Sequence, residues 1–251
     1  MIVGVDCAAQ AKNTGLARAI QDGKRLVVLD ARCASNEASA ASIVGEWVRD
    51  SHRVLLALDA PLGWPAELGR ELARHRAGEP LTPAAHAMFR RLTDDVIYER
   101  LGKRPLEVAA DRIARAAHAA LKFLGDLRAL ARSKIPLIWS PNWRGRFGVI
   151  EVYPAATRIA LGAPRGSGSL EGLESRIRFQ NGTAPTSEHA RDAVVCAISA
   201  AEFLSGQMIA PTRSQRAQAE HEGWIWASTA PAAMAVAGRT KRSRRHEAGG
   251  E

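Results

Sequence analysis

Four acids in this sequence stand where an apolar run stops or a helix begins. Asp6 closes the apolar stretch at the N-terminus, and Asp59 closes Val54-Leu55-Leu56-Ala57-Leu58. Glu151 lies in a short apolar segment before Tyr153-Pro154, and Asp192 falls in the first turns of a late helical stretch. In a parallel α/β sheet, functional groups gather beyond the carboxyl ends of the strands. If the strands that end in Asp6 and Asp59 are parallel neighbours, their carboxylates stand side by side, and the late helix can carry Asp192 across to them. Clustered carboxylates raise one another's pKa unless a cation is present. Hard divalent cations, Mg²⁺ or Mn²⁺, take oxygen ligands. Two such ions about 3.5–4 Å apart can activate a water and stabilise the leaving oxygen of a phosphodiester. Any one of these acids could equally be a surface cap or half of an ion pair. The metal reading rests on all four standing at element ends together.

The elements that must position them follow from periodicity. Residues 1–7, 15–20 and 25–31 read as three strands in a meander, with Gln21-Asp22-Gly23-Lys24 as a hairpin turn. Residues 37–50 carry Ile43, Val44, Trp47 and Val48 at helical spacing, with Ser35 or Asn36 as the expected cap. The continuous apolar run 53–59 suits a strand buried on both faces and paired beside the first. Residues 62–148 form a helical insertion, with helices expected at 65–76, 83–101 and 107–132. Short strands are expected at 135–140 and 148–153, a Gly/Ser-rich loop at 162–172, a helix at 188–205, and a closing strand at Trp224-Ile225-Trp226. Residues 1–230 read as one domain and 231–251 as a disordered basic tail.

The order of elements and the acids Asp6, Asp59 and Asp192 resemble the ribonuclease H-like fold. That resemblance implies a mixed α/β sheet in order 3-2-1-4-5 flanked by helices, with the helical insertion between strands 4 and 5. His189-Ala190-Arg191-Asp192 resembles the H-x-x-D element of the Holliday-junction resolvase branch, although that branch carries Glu where Asp59 stands. Five segments together are similar to the predicted RNase H-like nuclease family called domain of unknown function 429. They are Gly4-Val5-Asp6-Cys7-Ala8, Asp59-Ala60-Pro61-Leu62-Gly63, Arg91-Leu92-Thr93-Asp94, Glu151-Val152-Tyr153-Pro154 and His189-Ala190-Arg191-Asp192-Ala193. The resemblance implies Asp6, Asp59 and Asp192 as metal ligands, with Glu151 completing the shell or positioning water. It implies that His189 orients water or a phosphate. Arg91, Thr93 and Asp94 would border the cleft, with the arginine open to phosphate, and Tyr153 would stack or pack there. The implied activity is hydrolysis of nucleic acid with Mg²⁺ or Mn²⁺, and a homodimer is compatible with it.

Composition bounds the alternatives. The chain has 251 residues, of which 46% are hydrophobic and 24% charged, enough for one sizeable core. No apolar run reaches the roughly 18–20 residues of a membrane helix. No leader is read at the N-terminus, and a cytoplasmic location is expected. Three scattered cysteines support neither a disulfide framework nor a zinc site. The net charge is +9, of which residues 231–251, with five basic and two acidic residues, carry only a third. The body is therefore basic by itself, which suits a polyanionic partner and equally a solvated, arginine-rich surface. Two other functions fit the same pattern of elements: a nucleotide-dependent phosphotransferase or ATPase, and a nucleic-acid-binding protein with an inactive site. The first is disfavoured because Cys7-Ala8-Ala9-Gln10, not a Gly/Thr phosphate hairpin, follows Asp6. The second is disfavoured because the acids are all in place.

Overall fold

The computed structural model describes residues 1–229 apart from 110, 165 and 167; the expected tail lies outside the described residues. The meander forms as expected: β1 (Ile2–Asp6), β2 (Gly15–Asp22) and β3 (Arg25–Cys33) pair antiparallel in turn. The hairpin between β2 and β3 turns on Gly23 and Lys24, and Gly23 takes a left-handed φ of 57° that suits glycine. Next come α1 (Ala40–Val48) and β4 (Val54–Asp59). The cap of α1 is Ser39, whose hydroxyl accepts from the Ser42 amide at 3.1 Å. Ser35, an expected cap, instead accepts from the Glu37 and Ala38 amides in the preceding turn.

The stretch between β4 and the next strand holds α2 (Ala66–Leu72), α3 (Ala85–Phe89), α4 (Leu92–Leu101) and α5 (Asp111–Ala131). The single helix expected over 83–101 is broken because Arg90 and Arg91 are extended. α5 packs beside α1 and buries Ala120, Phe123, Leu124 and Leu127 against the sheet, so it is a core layer more than a cap. Then follow β5 (Phe147–Val152), α6 (Pro154–Ala160), β6 (Ile177–Phe179), α7 (Glu188–Leu204), α8 (Arg216–Glu222) and β7 (Ile225–Trp226). The strand expected at 135–140 is reduced to a bridge between Leu137 and Val149. Pro136 and Pro141 bound it, and each lacks the N–H a ladder needs.

The sheet has seven strands in order β6-β3-β2-β1-β4-β5-β7, consistent with a ribonuclease H-like sheet extended by one short strand at each edge. β1, β4, β5 and β7 run parallel, and the register sets Asp6 beside Asp59. Side chains alternate across the pleat, so Val3, Val5, Leu56 and Leu58 face α1 and α5, while Ile2, Leu55 and Ala57 face α7. Two glycines set how closely α7 lies. A Cβ on Gly4 would stand 2.0 Å from the Ala193 carbonyl oxygen, and one on Gly15 would stand 2.0 Å from that of His189. No helix among the described residues is long and apolar enough to cross a membrane.

Candidate functional site

The carboxyl ends of β1 and β4 deliver two acids to one place. Asp6 and Asp59 are register partners on adjacent parallel strands. Asp6 is 15% exposed, and its Oδ2 lies 2.7 Å from Nδ1 of His189, whose side chain is 43% exposed. Asp59 is part-exposed, and among the described residues no hydrogen bond or basic side chain offsets its charge. Burial pushes the Asp6 carboxyl up to about 6; the His189 contact opposes this, and Asp192 and Glu188 add to it. Burial also drives Asp59 well above the usual carboxylate range, reinforced by the charges of Asp6, Asp192 and Glu151. Cys7, next in the chain, has its thiol pushed well up by burial and then by Asp59 and Asp6, so it is no thiolate nucleophile near neutral pH.

The other two acids face arginines. Glu151 is buried on β5, and both its oxygens are taken by Arg91, at 2.8 and 3.0 Å. It also accepts from the Leu62 amide at 3.0 Å. Burial alone would lower the Arg91 pKa, but Glu151 and Asp94 more than offset it and hold the guanidinium charged. Asp192 pairs with buried Arg158 of α6 and accepts from the Gly168 amide at 3.1 and 3.2 Å.

The Arg91-Leu92-Thr93-Asp94 segment therefore stands differently from the expectation of a cleft border. Arg91 is only 1% exposed and is spent on Asp94, Glu151 and the Glu222 carbonyl, so it is not open to phosphate. The Thr93 hydroxyl accepts from the Ile225 amide, and Asp94 accepts from the Arg91 amide at the start of α4. The segment is a buried clamp joining the insertion to β5 and β7. Tyr153 is half-buried, and burial, then Asp59 and Asp94, push its phenol up to about 12. Trp139 packs on Trp226, and the Arg146 guanidinium is used on the Val48, Arg49 and Ser51 carbonyls.

Two participants were missed in the sequence. Arg158 is one, and its signal is a lone charge in the apolar context Ala155-Ala156-Thr157-Arg158-Ile159-Ala160. Glu222 is the other; it accepts from the Ala66 and Leu92 amides.

Two oxygen-donor groups whose pKa values are raised by burial and by neighbouring carboxylates fit a hard divalent cation, which would relieve both effects. Among the described residues no group of three or more His, Cys, Asp or Glu side chains forms a ligand cluster. Asp6 and Asp59, with His189 on Asp6, are two carboxylates between which an ion could sit.

No curated protein matches the sequence. A family model described as "protein of unknown function (DUF429)" matches residues 4–216 and so takes in Asp6, Asp59, Glu151, His189 and Asp192 alike. The chain belongs to that family.

Proposed function

We propose that this protein is a divalent-cation-dependent hydrolase of phosphodiester bonds in nucleic acid. The observation that carries the reading is the Asp6–Asp59 pair: two carboxylates at the ends of adjacent parallel strands, one of them with no hydrogen-bond donor or basic side chain offsetting its charge among the described residues. Such a pair costs folding energy and suits an ion that relieves it. Bound Mg²⁺ or Mn²⁺ would neutralise the pair, polarise a phosphoryl oxygen and make a water more acidic. Asp6 and Asp59 would hold the ion. His189, anchored through Nδ1, leaves its other ring nitrogen to hold or move a proton at the exposed side of the site. The basic body of the chain would attract the polyanionic substrate.

The test is cleavage of end-labelled DNA and RNA oligonucleotides in Mg²⁺ and in Mn²⁺, with and without EDTA. Wild type should cleave at least one substrate, and both EDTA and Asp59→Asn should abolish it. Wild type that cleaves none of the panel with either ion overturns the reading.

A further inference from the structure

Two buried arginines divide the four acids into unlike pairs. Asp192 has the Arg158 guanidinium on one oxygen and the Gly168 amide on both. Arg158 is 2% exposed and also donates to the Ser169 carbonyl. Arg191, one residue before Asp192, donates to the Gly168 carbonyl. Freeing Asp192 would leave a buried guanidinium without its counter-charge, which is strongly unfavourable. Glu151 is held in the same manner by Arg91 and the Leu62 amide. A cation ligand must offer both lone pairs and unbalanced charge; on these two acids each oxygen already accepts a hydrogen bond and the charge is matched by a buried guanidinium. Asp6 gives one oxygen to His189, and Asp59 gives none to any donor among the described residues.

We propose, resting on the reading of the site as metal-dependent, that it takes one divalent cation and not two. Asp6 and Asp59 are its protein ligands, and Arg158 is a positioning residue that withholds Asp192 from it. Mg²⁺ is commonly held by one or two carboxylates, with water and substrate phosphate filling the remaining positions. The Arg158–Asp192 contact also fixes the start of α7, where His189 is carried one turn away from Asp192.

Calorimetric titration of the full chain with MnCl₂ tests this without any catalytic readout. The expected stoichiometry is one Mn²⁺ per chain, and this measurement needs no variant. Asp192→Asn keeps its shape and can still accept from Gly168 and Arg158. It should bind Mn²⁺ within about fivefold of wild type, the effect of a neighbouring charge that is already paired with Arg158. Asp59→Asn should bind about a hundredfold more weakly. Circular dichroism confirms that both variants fold. Two Mn²⁺ per chain, or a loss in Asp192→Asn equal to that in Asp59→Asn, overturns the one-cation assignment and leaves the metal-dependent reading standing. Wild type that binds no Mn²⁺ at millimolar concentration removes both.

Discussion

Asp6 carries a stability signature that can be read without any substrate. Burial pushes its carboxyl up to about 6 in the folded chain, against about 3.9 in an unfolded one. Between about pH 4 and 6 the folded state therefore binds more protons than the unfolded state, so stability of the cation-free protein falls as pH rises through that window. Asp59, raised further, extends the decline upward. Asp6→Asn should flatten the lower part of the slope and stabilise the cation-free chain at pH 7 by about 1–3 kcal/mol, less what the His189 contact contributes. Urea unfolding at several pH values measures this, and an unchanged slope in the variant would contradict it. Arg91 should behave in the opposite sense. Arg91→Met leaves Glu151 and Asp94 buried without a counter-charge and should cost about 3–5 kcal/mol. Arg91→Lys should rescue little, since one ammonium cannot bridge two carboxylates; a loss below about 1 kcal/mol in thermal unfolding would show that the clamp is not needed. Asp6 and Asp59 were legible in the sequence because each ends an apolar run, and strand pairing does the rest. The arginines on Glu151 and Asp192 were not, because partners 60 and 34 residues apart leave no local spacing to read.

Elements differ in how much of themselves they write into the chain. α7 was legible almost to the residue, since apolar residues run through most of its 17 positions and are buried on every side from Asp192 to Ala200. The edge strands were harder: β6 has three residues and β7 two, too few to display an alternation, and only the Trp224-Ile225-Trp226 pattern marked the second. The helix expected over 83–101 breaks because burying Arg91 requires an extended backbone there, a tertiary demand that periodicity does not register. The contact of α7 with the sheet rests on Gly4 and Gly15. Gly4→Ala should destabilise by more than the usual ~1–3 kcal/mol of an overpacked core, because the obstacle is main chain and not a movable side chain. Gly15→Ala should in addition push His189 away from Asp6. Loss of that contact should show as a changed chemical shift of the His189 imidazole in NMR. A wild-type melting temperature for Gly4→Ala would refute the close-approach argument.

On the scale of the whole molecule, the sheet separates two layers of core, and the acids gather at the carboxyl end of its parallel strands. That placement follows the general rule for open α/β sheets and was the part of the architecture most readable in advance. The strand order 3-2-1-4-5 lies intact inside the observed seven strands. The net charge of +9 belongs to this scale too. If the body of the chain holds nucleic acid by its phosphates, affinity for a labelled oligonucleotide should fall about tenfold or more between 50 and 200 mM salt. A chain ending at residue 230 should retain most of that dependence. Binding that ignores salt would exclude a phosphate-tracking surface.

The order in which the ribosome delivers these parts gives the close packing of α7 a temporal meaning. Chains are made from the N-terminus at about 5–20 residues per second, so the two strands ending in Asp6 and Asp59 emerge well before the helix that starts at Glu188. Until that helix arrives, Gly4 and Gly15 have nothing against them and Ile2, Leu55 and Ala57 lie bare. A chain halted before residue 188 would thus leave the α7 face of the sheet, on which Asp6 and Asp59 stand, uncovered. The carboxylate pair would then meet its burial only once α7 has been made.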